Sequence, residues 1–171
     1  MLWSVVMIGP EMSAANQIIA DLNLKPHPSE NGYMSVSQHN SAATADNGSL
    51  PAANTVQFLY KKGTHAPWHR MKVSDLIWVH QTGGVMIIHT LCPLTGVHNT
   101  IELQPNRVIR IAADTWFAAH VADNADFSLF AVVTSPGFHP DNCEMASSSV
   151  IENGKFASSA VKDRMKTFLS K

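Results

Sequence analysis

The chain is short of charge. Asp, Glu, Lys and Arg make up only 15% of its 171 residues, and twelve basic side chains meet thirteen acidic ones for a formal net charge of -1; an ordinary soluble domain carries about a quarter. A surface for nucleic acid or anionic membrane needs a basic patch, so neither is expected as a partner. Cysteine is nearly absent: Cys92 and Cys143 are the only two, and neither belongs to a C-x-x-C pair, which argues against a zinc ribbon or a dithiol redox centre. Two free thiols fit a reducing compartment, and a cytoplasmic location is expected. No hydrophobic run is long enough to span a membrane. The apolar start, Met1 to Pro10, has no basic n-region and no small-residue cleavage site. It reads as a leader strand, or as an extension ahead of a second start at Met12, rather than as a signal peptide. There is no phosphate-cradling glycine loop and no solenoid repeat.

What is there is a train of strands. Residues 1–171 are read as one domain, with a core over about 13–146 and a linker and C-terminal helix over 147–171. Ser13 can cap a helix over Ala14 to Leu22, with Ile18, Ile19 and Leu22 on one face. Met34 to Gln38 reads as a short extended segment. Residues 39–53 are small and turn-forming and read as a mobile surface loop. From Thr55 to Pro136 β-branched and aromatic runs follow one another between turn residues: Thr55–Tyr60, Ile77–His80, Val85–Leu91, His98–Leu103, Arg107–Ile111, Thr115–Ala122 and Phe127–Thr134. That spacing predicts an all-β sandwich or barrel. At the end, Val161, Met165, Phe168 and Leu169 fall on one stripe opposite Lys162, Asp163, Arg164 and Lys166, the pattern of an amphipathic helix.

The densest set of chemistry-bearing side chains runs from Thr64-His65-Ala66-Pro67-Trp68-His69-Arg70 to Ser74-Asp75-Leu76-Ile77-Trp78. Alternate residues of an extended segment share a face. His65 and His69 are therefore expected on one side, and Leu76, Trp78 and His80 on one side of the next strand. Two imidazoles on one wall can bind a metal, act as acid and base, or orient a polar ligand. Trp78 and Trp116 can stack on a planar ligand or fill a core. Tyr33 can act as a general acid at a pocket mouth or anchor its turn. Asp75 can orient an imidazole or, facing away from Leu76, sit at the surface or at a dimer contact.

The order of several fragments resembles the small RmlC-like cupin family. They are Lys25-Pro26-His27-Pro28 with the Gly32-Tyr33 turn, a Phe58-Leu59 strand ending at Gly63, His69-Arg70, Ser74-Asp75-x-x-Trp78, Thr115-Trp116, and Ser135-Pro136-Gly137-Phe138. The resemblance runs from about Ile18 to Glu144. It implies a double-stranded β-helix (jelly-roll) barrel, usually a homodimer, with a pocket at one mouth; low surface charge and exposed strand edges also favour a homodimer. The general cupin metal site takes His-x-His, a following Glu and a later His. Here Pro67 stands at the first His, Leu76 at the Glu and Phe117 at the last His, so only His69 is kept. One imidazole cannot hold zinc, iron or manganese tightly; no metal or other cofactor is expected, with His65, His89 and His120 as conceivable relocated ligands. The relatives' Glu-Gly-Gly-Tyr-Tyr-Arg turn reads Glu30-Asn31-Gly32-Tyr33-Met34-Ser35, so an arginine that could clamp an anion is missing.

These features point to a metal-independent enzyme acting on a small, mainly apolar or aromatic molecule by isomerisation, epimerisation, cyclisation or lyase chemistry. His69 would be the base and His65 or Tyr33 the acid, with Trp78, Leu76, Phe117, Trp116, Phe58, Met86 and His120 around the ligand. The alternatives are a non-catalytic small-ligand-binding cupin and a metal-dependent cupin with relocated ligands.

Overall fold

Turn residues cut the chain into short strands, and the strands pair into two sheets. The computed structural model describes residues 12–35, 39–45, 50–92, 94–153 and 159–168. In chain order the elements are α1 (Ala14–Asp21), β1 (Lys25–Pro26), β2 (Tyr33–Met34), β3 (His39–Asn40), β4 (Asn54–Lys61), β5 (His65–Met71), β6 (Asp75–Gly83), β7 (Met86–Leu91), β8 (His98–Leu103), β9 (Val108–Ile111), β10 (Trp116–Val121), β11 (Phe127–Ser135), β12 (Cys143–Met145), α2 (Ser148–Asn153) and α3 (Ser159–Met165). Single 3-10 turns precede β12 and follow α3. One sheet has the order β1-β2-β4-β11-β6-β9, with β3 also on β4; the other has the order β12-β5-β10-β7-β8. Every pairing is antiparallel. The result is the all-β, jelly-roll cupin barrel that the resemblance implies.

The main core lies between the sheets, where Tyr60, Trp78, Met86, Ile88, Leu103, Phe117 and Phe130 are buried. Two smaller cores sit on the outer faces. Ala15, Leu24, Leu59 and Leu129 pack under α1, which Ser13 caps by accepting from the Asn16 amide at 3.4 Å. Ile18 and Ile19 join this cluster as expected, but Leu22 is the C-cap and 40% exposed, because the helix ends one residue before it. The other outer core is covered by the C-terminal segment: Trp68, Leu91, Trp116 and Ala118 from the sheet meet Ile151 and Met165. Lys166 and Asp163 pair on the exposed side, so the amphipathic reading holds where the helix is described. Leu169 and the side chains of Val161 and Arg164 lie outside the described residues, as do residues 1–11 and 36–38.

Two readings of the sequence are sharpened by the structure. Residues 39–45 and 50–53, expected as a mobile surface loop, have paired backbone groups. They form an irregular arm that continues the large sheet: Ser41 N donates to Ala53 O, Ala52 N to Ala43 O and Ala45 N to Leu50 O, each at 2.8 Å, and Thr44 bridges Pro51. Small side chains carry no packing signal, yet their backbone groups still pair.

The second, the facing of β5, is a correction. β10 pairs Phe117 with His69 but Ala119 with Ala66, so an extra residue of β5 is accommodated between them. The bulge falls at Pro67-Trp68, where proline has no N–H for the ladder. Facing therefore inverts across it. Ala66 and His69 look into the barrel, while Trp68 enters the outer core. Arg70 clamps this region from outside. Its guanidinium binds Glu144 of β12 at 2.7 Å and Asp114 of the β9–β10 turn at 2.7 Å, and lies 4.8 Å from the Trp116 ring centroid. Asp75 is a second clamp rather than an imidazole partner, accepting from Arg110 and from the Ala113 amide.

Among the described residues no helix is long and apolar enough to cross a membrane.

Met165 is fully buried, so its truncation leaves a cavity under the C-terminal cover. Met165→Ala is expected to lower unfolding free energy by about 2–5 kcal/mol, measured by chemical denaturation. An unchanged midpoint would mean that the C-terminal helix is not part of the cooperative fold.

Candidate active site

Inward-facing side chains of β4, β5, β6, β10 and β11 leave a cavity of about 390 Å³ between the sheets, within the usual range of a small-molecule site. Most of its wall is apolar. Phe58, Tyr60, Trp78 and Phe130 form a near-parallel slab: Trp78 and Phe130 stack at 4.6 Å and 7°, and Phe58 and Tyr60 lie 5.8 Å from Phe130 at 21° and 18°. Leu76, Phe117, Met71, Val132 and Phe138 continue the wall. Polar groups gather in two places. Asn54 and Thr134, paired across β4 and β11, mark one. His27, Ser29, Glu30 and His69 mark the other.

His69 is fixed in orientation. Its Nδ1 lies 2.7 Å from the Pro67 carbonyl oxygen, which can only accept, so Nδ1 carries the proton and Nε2 keeps its lone pair. Phe117 packs against the imidazole with centroids 4.1 Å apart. Burial drives the His69 pKa down to about 4; the Pro67 bond opposes this and His27 adds to it.

Glu30 faces that lone pair. Its Oε1 is 3.8 Å from His69 Nε2, and the two side chains are only 10% and 12% exposed. Burial raises the carboxyl to about 8. At neutral pH the pair is thus a carboxylic acid beside a neutral imidazole, because the apolar surroundings penalise the charge on each. Glu30 sits on the connection between β1 and β2, which closes through His27 N donating to Gly32 O at 2.9 Å. Gly32 presses against the Tyr60 ring, where a Cβ would come within 2.9 Å, so only glycine lets this turn lie so low over the barrel.

The site residues expected from sequence divide cleanly. His69, Trp78, Leu76, Phe117 and Phe58 all line the cavity. The others do not. His65 and His120 are cross-strand partners on the outer face of the small sheet, each 5.5 Å from the Phe168 ring. His89 stacks there between His98 and His120. Trp116 belongs to the outer core beneath Arg70. Met86 is core, fully buried away from the cavity lining. Tyr33 packs in the cluster under α1, with the Lys61 ammonium 5.2 Å from its ring, so it is no acid for His69. The functional residue that sequence reasoning missed is Glu30. Its signal is the Glu30-Asn31-Gly32-Tyr33 turn, where the sequence points to Tyr33 as the acid and to a missing arginine rather than to Glu30.

Cupin barrels imply a metal, and the donor set here does not fit one. Leu76 and Phe117 line the cavity at the carboxylate and final-histidine places. The histidines that could have replaced them, His65, His89 and His120, point to the opposite side of the sheet. Among the described residues no three of His, Cys, Asp and Glu are grouped to hold an ion.

Two facing antiparallel sheets with a pocket at one mouth define a cupin-type barrel. The family described as Cupin superfamily (DUF985) matches residues 16–146, and the chain belongs to it. Among solved structures, a hypothetical protein from Leishmania major is 20% identical, covering 93% of this chain and 100% of its own, with a TM-score of 0.78. A protein from Shewanella oneidensis is 22% identical, covering 92% and 98%, at 0.77. The oxalate decarboxylase of Lactobacillus farciminis, in a formate complex, is 13% identical over 85% of this chain and 41% of its own, at 0.57. These likenesses concern the fold. No curated protein matches the chain.

The paired shifts make stability depend on pH in opposite senses. Between about 4.5 and 8 the folded chain keeps the Glu30 proton that the unfolded chain has released, so this carboxyl costs stability as pH rises. Between 6.5 and about 4 the unfolded chain takes up a proton that folded His69 refuses, so stability falls as pH drops. Above pH 6.5 only the Glu30 effect remains. Glu30→Gln is expected to gain about 1–2 kcal/mol relative to wild type between pH 6.5 and 8, measured by denaturant titration at both pH values. Parallel curves would show that Glu30 is not held protonated.

Proposed function

We propose that this cupin is a metal-independent proton-transfer enzyme, with His69 as base and Glu30 as acid, acting on a small, mainly apolar or aromatic molecule. The observation that supports it is the His69 Nε2–Glu30 carboxyl pair, 3.8 Å apart in an apolar cavity. Groups whose surroundings separate their protonation states in this way suit general acid–base work.

The step balances within the pair. Nε2 takes a proton from a carbon next to a carbonyl. The C–H electrons become the new C=C bond, the carbonyl π electrons move to oxygen, and that oxygen takes the Glu30 proton. His69 imidazolium and Glu30 carboxylate are left side by side, where their attraction offsets the desolvation of each. Returning the proton to another carbon isomerises the substrate; returning it to the other face epimerises it. Departure of a leaving group from the next carbon would make the reaction a lyase step, and attack by the enol carbon on a second group would make it a cyclisation. The acid partner differs from the sequence expectation, since His65 and Tyr33 lie outside the cavity.

Solvent deuterium incorporation into enolisable aryl ketones, followed by NMR in D2O, tests this. Exchange is expected to be fastest between the two shifted pKa values, about 4 and about 8. Below that window His69 is protonated; above it Glu30 is ionised. His69→Gln is expected to lose about 10²–10⁴-fold. Bound ketone without catalysed exchange would instead favour a binding module.

A further inference from the structure

The charge content of the cavity bears on what can enter it. Among the described residues neither lysine nor arginine lines it. Arg70, next to His69 in sequence, turns outward and is neutralised by Glu144 and Asp114. Lys72 reaches the Asp141 carbonyl outside the lining. The acidic side chain in the wall is Glu30, which repels an anion if ionised and offers it no counter-charge if protonated. A carboxylate or phosphate entering here would lose its hydration without a cation to replace it.

A cation meets a counter-charge only by ionising Glu30, and the buried ion pair so formed carries the desolvation cost of both charges. Caging an ammonium takes ring faces turned toward a common centre. Here Trp78 and Phe130 cover each other's faces, and Phe58 and Tyr60 extend the same stack. Phe117 stands edge-on to Trp78 at 89°. A flat ligand can add to the end of such a stack. The cavity's neutral polar groups, Asn54 and Thr134, lie at the end away from Tyr60 along β4 and β11.

We propose that the cavity selects uncharged, flat carbonyl compounds, ketones or enones with a hydrogen on the carbon beside the carbonyl, and rejects carboxylates, phosphates and ammonium ions of the same shape. The place of the carbonyl, between Glu30 and His69, rests on the proton-transfer reading above; the exclusion of charge rests on the lining alone.

Three probes of one outline test it: 2-acetylnaphthalene, 2-naphthoate and 2-naphthylmethylammonium, titrated at pH 7 into the full chain labelled with 13C-methyl methionine. Met34, Met71 and Met145 line the cavity and Met165 does not. The ketone is expected to shift the three cavity methyls saturably, leave Met165 unmoved, and bind at least tenfold more tightly than either ion. An ion binding as tightly as the ketone overturns the proposal, and so does absence of binding by all three. Deuterium exchange at the ketone's methyl group, read in the same samples, separates the two readings. Selective ketone binding without exchange in the wild type sinks the proton-transfer reading alone. Exchange with equal binding of ketone and ions sinks the substrate class alone.

Discussion

A proline in the middle of a paired strand organises this barrel. Pro67 cannot donate to the ladder, and β5 answers with a bulge against β10 between His69 and Ala66. The bulge sends Trp68 into the outer core and His69 into the cavity. The Pro67 carbonyl then accepts the His69 Nδ1 proton and sets the tautomer. Without the extra residue, strict alternation would place His65 and His69 on the same wall, and β5 would give the cavity two imidazoles beside that of His27. With it the cavity wall keeps one from β5, whose free nitrogen faces the turn that carries Glu30.

The second constraint is burial without counter-charge. A carboxyl and an imidazole in contact could share a proton as an ion pair in water-rich surroundings. Between aromatic and aliphatic walls the cost of charging both exceeds that gain, and the neutral forms prevail near pH 7. Such a pair stores no charge at rest and creates charge only while a proton is in transit. That is the condition in which fixed groups stabilise a transition state more than a ground state.

Much of the fold was legible because it rests on local rules. Strand runs bounded by turn residues gave β4 and β6 to β11 within a residue or two at most ends, and Ser13 marked its helix. Leu76 and Trp78 are legible as cavity wall because inward positions on regular strands follow alternation, and Phe117 because it stands at a place where the resemblance puts a ligand. What stayed hidden depends on tertiary placement. Proline at 67 was visible, but not that the ladder would absorb it as a bulge, so His65 was put on the wrong face. Trp116 and Met86 are apolar strand residues of the kind that lines a pocket, and only the packing of neighbouring elements sends one outward and the other into solid core. Tyr33 and Glu30 share one turn, and sequence does not say which of them dips inward. The contact of Gly32 with Tyr60, which decides it, joins the β1–β2 turn to β4. β12 was missed as a strand because three residues carry too little periodicity to register.

The abundance of histidine deserves a physical account of its own, since it suggested metal chemistry. Four of the nine, His65, His89, His98 and His120, gather on the outer face of the small sheet. The rings of His89, His98 and His120 stack with one another or against Phe168 of the C-terminal segment, and His65 tilts against Phe168. Among the described residues they form no group that could hold an ion, and the thickness of a sheet separates these rings from the cavity. Leu76 and Phe117, at the places where the resemblance puts metal ligands, are apolar parts of the cavity wall. A cavity that had kept a metal and its carboxylate would hold Glu30 ionised through the attraction of the cation. With no cation beside it, Glu30 is instead held protonated by the apolar wall to which Leu76 and Phe117 belong.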